Sequence, residues 1–157
     1  MTRLRLIAPF AALVLMTAAG CSKPFSAATP PGFVDLEDRY EENEYRATTA
    51  DGVVLGIRSF ENDPKGDMDF WSRAVENRMR QIGGYALLET KEVVSRDGMA
   101  GKQMRFGHDE EKKPHLYVLS LFVTEKYVYL LEAGGEKAET EKLLPQIQWS
   151  VKNFAGK

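Results

Sequence analysis

The chain has 157 residues, with 21 Lys and Arg against 23 Asp and Glu, a formal net charge of −2 and a hydrophobic content of 43%. That length makes one domain with a real core and leaves too little for two. The absence of a basic excess argues against nucleic acid as a partner, and a single cysteine, Cys21, excludes a disulfide framework.

The first 21 residues fix the expected location. Arg3 and Arg5 form a positive n-region, Leu6 to Met16 an apolar h-region, and Thr17-Ala18-Ala19-Gly20 a run of small residues, the three parts of a secretory signal. A bilayer-spanning helix needs about 20 apolar residues. This run is shorter and carries Pro9, so a cleaved signal is expected rather than a membrane helix.

Ala18 to Cys21 resembles the lipobox of bacterial lipoproteins, with Ala18 where that family most often has Leu. The resemblance implies that residues 1–20 are removed, that the Cys21 thiol receives a diacylglyceryl group, and that the new amine takes a further acyl chain such as palmitate. Two or more acyl chains make membrane attachment stable, at about 0.8 kcal/mol per buried methylene. The same resemblance places the protein in the cell envelope, and Ser22 in place of Asp implies the periplasmic face of the outer membrane rather than the inner membrane. Acylation would also consume the only thiol. Loss of Arg3 and Arg5, with no acid lost, moves the formal charge to −4.

Residues 21–32 are expected to be the lipidated cysteine and a flexible tether, because Ser22 to Gly32 is rich in Ser, Ala, Thr and Pro. Fully extended, that tether reaches about 35 Å. Residues 33–157 are expected to fold as one domain. Asp35 to Glu44 concentrates six acids and one Arg without the spacing of a calcium loop, and reads as a solvated helix or turn.

Tyr45 to Phe60 reads as a hairpin around Asp51-Gly52, with Val53, Leu55 and Ile57 on one face. From Asp67 the period turns helical: Phe70, Trp71, Ala74, Val75, Met79 and Ile82 form a stripe, capped by Asp67 or Asp69 and stopped by Gly83-Gly84. A core position for Trp71 predicts a loss of about 3–5 kcal/mol in Trp71→Ala. Tyr85 to Val94 and Met99 to Phe106 read as a second hairpin through Arg96-Asp97-Gly98, with a bulge expected at Gly101. Gly107 to Pro114 reads as an exposed polar loop.

His115 to Ala133 carries two runs dense in Val, Leu, Tyr and Phe that meet at Glu125-Lys126, a turn expected to exceed two residues for want of Gly or Asn. Leu116, Val118 and Phe122 mark one face, and Tyr117, Leu119, Leu121 and Val123 the other, so both faces need cover. Gly134-Gly135 reads as a turn. A closing helix follows, with Leu143, Leu144, Ile147, Val151 and Phe154 at helical spacing and Pro145 kinking or restarting it.

This order predicts an α+β fold, an antiparallel sheet of about six strands with helices packed on both faces. Over Tyr45 to Phe154 the chain resembles the PsbP-like family, through Gly83-Gly84-Tyr85, Gly98, Gly101, Ser150-Val151 and Phe154. That resemblance implies an antiparallel sheet between helices, used mainly to dock on other proteins, with no shared catalytic residues.

Chemistry-bearing constellations are sparse. His108 and His115 flank Asp109, Glu110 and Glu111, but on a loop their separation is not a metal-ligand spacing. No Ser stands in a G-x-S-x-G stretch, and Gly134-Gly135 lacks the residues that grip phosphate. The expectation is therefore a lipid-anchored docking or accessory protein of an envelope complex, with no cofactor, no metal and no catalysis of its own. The alternative is a carrier holding a lipid or small apolar molecule between sheet and helix, with Trp71, Tyr127 and Trp149 as candidate lining or partner surface.

Overall fold

A computed structural model describes residues 23–36, 45–110 and 112–157. Cys21, the signal stretch before it and the acidic residues 37–44 lie outside the described residues.

Seven strands form one antiparallel sheet. In chain order they are β2 (Val34–Asp35), β3 (Tyr45–Thr48), β4 (Val54–Glu61), β5 (Ala86–Val94), β6 (Ala100–Glu110), β7 (Lys113–Val123) and β8 (Tyr127–Glu136). Their spatial order is β2-β3-β4-β8-β7-β6-β5. Strand β2 adds one to the expected six. Its two residues pair with Thr48 and Ala47, too short a run for any alternation to announce. A separate ribbon joins β1 (Phe25–Ser26) to β9 (Ala155–Gly156).

The expected tether is therefore docked from Lys23 onward. Phe25 is buried, with its ring 5.8 Å from that of Phe154, and Phe33 is buried in the same core. The Tyr129 hydroxyl donates to the carbonyls of Pro24 and Lys157, both at 3.1 Å, and Lys157 Nζ donates to the carbonyl of Lys23 at 2.8 Å. Phe25 in an otherwise small and polar stretch, with Phe33 just beyond it, outweighs the composition, since burying one such side chain contributes about 1.5–3 kcal/mol.

Alternation on the central strands divides the core in two. Leu116, Val118 and Phe122 of β7 with Tyr129, Leu131 and Ala133 of β8 pack against Ile147 and Val151 of α3 (Leu144–Lys152). Leu119, Leu121, Val128 and Leu130, joined by Met104 and Phe106 of β6, pack against Met68, Trp71, Val75 and Met79 of α1 (Met68–Gln81). Within the α3 side, Gln148 donates to Gln103, and buried Gln103 donates to Ser120 at 2.8 Å.

Helix α1 starts where Asp67 accepts the Phe70 N–H at 2.8 Å. Its buried stripe is narrower than the sequence suggests. No α1 residue is fully buried, Phe70 is 45% exposed and Ile82 is 75% exposed. Contact runs through 68, 71, 75 and 79, one helix row, and Ile82 falls past the last turn. The chain then reverses at Gly84, whose φ of +65° is a left-handed conformation that favours glycine.

Three local expectations are corrected, by strand pairing and close backbone approach. Gly101 is regular strand, paired with Val93 and Phe122; a Cβ there would sit 2.5 Å from the Phe122 ring. The bulge falls between Leu87 and Glu89 instead. Gly134 and Gly135 lie inside β8, and a Cβ on Gly134 would meet the Tyr117 ring at 2.9 Å. Gly107 to Glu110 and Lys113 to Pro114 are paired strand rather than loop, with His108 directly opposite His115 and Glu110 opposite Lys113. The turn at Glu125-Lys126 exceeds two residues, as expected: residues 124–126 separate β7 from β8, and the Thr124 hydroxyl oxygen accepts the Tyr127 N–H at 2.9 Å and donates to the Tyr127 carbonyl at 3.0 Å. Pro145 restarts the closing helix, separating α2 (Lys137–Lys142) from α3.

Candidate functional site

A concavity opens at one end of the sheet, between the start of α1 and the β5–β6 and β7–β8 turns, with a volume of about 620 Å³. Its floor is apolar, from Val93, Val94, Ala100, Gly101, Met68 and Val123. Its rim carries Lys65, Asp67, Glu92, Lys102 and Glu125.

One buried side chain assembles this end of the molecule. Asn62, at the end of β4, donates from Nδ2 to the carbonyls of Gly66 (3.0 Å) and Thr124 (2.8 Å). Its Oδ1 accepts from the Gly66 N–H (2.9 Å) and the Trp71 indole N–H (2.8 Å). Its backbone N–H donates to the Lys126 carbonyl at 2.9 Å. A single carboxamide thus ties the loop before α1, the helix itself and the β7–β8 turn, using both N–H donors and both acceptor sites of its oxygen.

Rim charges are largely paired. Lys65 meets Glu125 at 2.7 Å, and Lys102 meets Asp69 at 2.7 Å. The hydrogen bond from Lys102 holds the Asp69 carboxyl below its usual range, and that from Lys65 does the same for Glu125. With Lys65 and Lys102 each paired to an acid, the cleft offers apolar area with polar guides of both signs. The Thr124 hydroxyl is engaged in its turn.

A second polar centre lies on the α1 face of the sheet, around Glu132 of β8. Arg58 of β4 grips this carboxylate with two bonds, Nε to Oε2 at 2.7 Å and Nη2 to Oε1 at 2.5 Å. Burial, then the neighbouring Glu132, push the Tyr117 hydroxyl far above the usual phenol range. A cavity of about 210 Å³ touches Arg46, Tyr85, His115, Tyr117 and Glu132 over Gly56, Gly134 and Gly135. The sequence analysis missed this centre. Its signal was Glu132, an acid inside the apolar run Tyr127 to Ala133, since a charge there has to be paired.

The three candidate lining residues do not converge. Trp71 is half-buried on the α1 side, 5.2 Å from the rings of both Phe60 and Phe70. Tyr127 packs against the α3 side of the core, 6.0 Å from Tyr129, under Lys126 Nζ at 5.0 Å. Trp149 is half-buried on α3, its carbonyl accepting from Asn153. No single cavity between helix and sheet is formed by these three. Cys21 lies outside the described residues. His108 stacks on Tyr85 at 4.8 Å and its Nδ1 lies 3.3 Å from the Gly84 carbonyl, while His115 Nδ1 lies 3.2 Å from the Lys113 carbonyl. Among the described residues no group of three His, Cys, Asp or Glu is placed to hold a metal ion, and no helix is long and apolar enough to cross a membrane.

No family model matches the chain, and no curated protein matches it either. Solved structures do. LpqN of Mycobacterium tuberculosis, described as involved in cell envelope biogenesis, superposes with a TM-score of 0.69 at 11% identity, covering 83% of this chain and 82% of that one. The cyanobacterial PsbP protein of Synechocystis gives 0.54 at 10% identity, over 91% and 99% of the two chains. The Ran-binding protein Mog1p of Saccharomyces cerevisiae gives 0.54 at 13% identity, over 85% and 90%. At these identities the likeness is one of fold, and the fold is PsbP-like.

Proposed function

We propose that this protein is a lipid-anchored accessory module of the cell envelope, held by acylated Cys21 and docking a protein partner without catalysis or cofactor of its own. The observation that carries the reading is the stretch Met1–Cys21, a signal ending in a lipobox-like Ala-Ala-Gly-Cys. It is supported by the fold likeness to LpqN, a protein described as involved in cell envelope biogenesis. Attachment at the periplasmic face of the outer membrane is the finer part of the proposal, resting on Ser22.

The 620 Å³ cleft is the docking surface on this reading. An apolar floor ringed by balanced charges suits a protein segment that inserts an apolar side chain and meets polar guides at the rim. Val94, 57% exposed at that floor, is the natural anchor point.

The test is made on membranes from cells producing the full chain. Intact mass should show a chain beginning at Cys21 with acyl additions, and Cys21→Ala should move the protein to the soluble fraction. Cross-linking on those membranes should trap a partner that Val94→Glu releases while anchoring persists. An unmodified chain still starting at Met1 and free of membranes refutes the anchor. A partner retained in full by Val94→Glu refutes the cleft.

A further inference from the structure

The sheet ends unequally. On one side stands β2, two residues long; on the other stands β5, nine residues whose outer edge meets no further strand among the described residues. An edge of that length is a row of N–H and C=O groups ready to pair with another strand. Leu88 and Val94 on it are 59% and 57% exposed.

We infer that β5 pairs antiparallel with β5 of a second copy of this chain, about a two-fold axis at Thr90, so that two sheets become one. Residues opposed across an antiparallel pair share a face, and a two-fold axis preserves this only when it passes through a residue rather than between two. An axis at Glu89, Lys91 or Glu92 sets like charges directly opposite, which destabilises the pair. Leu88 is the extra residue of the bulge and interrupts a ladder centred on it. An axis at Ala86, Leu87, Val93 or Val94 leaves most of the strand beyond the partner's end.

Thr90 is the register that remains. It sets Glu89 opposite Lys91 of the second copy, and Lys91 opposite its Glu89, two complementary pairs from one symmetric contact. Glu89, half-exposed, also meets Arg105 of its own β6 at 2.9 Å. The regular pairing runs over Glu89 to Lys91 and ends at the Leu88 bulge of each copy.

The test uses purified full-length protein under mild oxidation, read on non-reducing gels, with the unsubstituted chain as the blank for Cys21. Opposed Cα atoms in an antiparallel pair lie about 4.5–5.5 Å apart, within reach of a disulfide. Thr90→Cys should therefore give a reducible dimer band. Glu92→Cys, four residues out of register with itself, should give none above the blank. Adding Lys91→Glu or Glu89→Lys to Thr90→Cys should each abolish the band, and mixing those two double variants should restore it, because their charges complement across both pairs. Sedimentation of the unsubstituted chain supplies an independent reading, a dimer that Lys91→Glu converts to monomer with its far-UV spectrum intact. Equal bands for Thr90→Cys and Glu92→Cys, a band that survives Lys91→Glu, or a monomer at every attainable concentration would overturn the inference.

Discussion

Asn62→Ala is the sharpest probe of how this molecule is held together. The substitution deletes four side-chain hydrogen bonds, to the Gly66 carbonyl, the Thr124 carbonyl, the Gly66 N–H and the Trp71 indole N–H, all between 2.8 and 3.0 Å. Each such bond contributes about 1 kcal/mol net, and a buried donor left without a partner costs about 1–3 kcal/mol. Asn62 is 7% exposed, so water replaces little of what is lost. The expected destabilisation is about 3–5 kcal/mol, a fall in Tm of roughly 10–20 °C for a domain of this size. Denaturant unfolding followed in parallel by tryptophan fluorescence and far-UV circular dichroism measures it, with the fluorescence also reporting the freed Trp71 indole. A loss below about 1 kcal/mol, within the ordinary range for a surface substitution, would refute the assignment of Asn62 as the tie between α1 and the β7–β8 turn.

Trp71→Ala should cost about 2–3 kcal/mol, less than the 3–5 expected of a core tryptophan, because the ring is half-buried and sits on a helix with no fully buried residue; calorimetry decides between the two ranges. Gly101→Ala forces a methyl to within 2.5 Å of the Phe122 ring and 2.7 Å of the Leu121 carbonyl, and should lose about 1–3 kcal/mol by overpacking. Stability should decline as pH rises past the ordinary phenol pKa of about 10. The reason is that folded Tyr117 holds its proton more tightly than the unfolded chain does, so its contribution is whole below that pH and is lost above it. Tyr117→Phe should flatten that alkaline slope, and an unchanged slope would remove Tyr117 as its source. Phe25→Ala should cost about 3 kcal/mol and expose the amides of Ser26 and Ala155 to faster hydrogen exchange, while the central strands β7 and β8 keep their protection.

Elements with strong periodicity were legible without the structure. The alternation of Leu116, Val118 and Phe122 against Leu119 and Leu121 reads directly as the two sides of the core. Asp67 announces the start of α1 because a short acid before an apolar stripe has one common use. Glycines misled wherever the reason for them lay in another strand. Gly101 and Gly134 carry no side chain because Phe122 and Tyr117 occupy the space, and nothing in their local sequence says so. Composition misled at Ser22 to Gly32, where one ring, Phe25, finds a place 129 residues away on Phe154. The Asn62 tie was silent, and Glu132 called for a partner without saying which: Asn62–Thr124 and Arg58–Glu132 each join residues more than 60 positions apart, and only the strand register β4–β8 brings them together.

The ribbon of Phe25–Ser26 with Ala155–Gly156 has a consequence for the order of events during synthesis. Phe25 and Phe154 are 129 positions apart, so the leading strand waits, with a phenylalanine uncovered, until Phe154 and the strand after it have been delivered. The sheet is complete by Glu136 and can form first; the ribbon then fastens the two ends together like a clasp. A chain stopped short of Phe154 would keep its sheet residues and still lack the ring against which Phe25 closes.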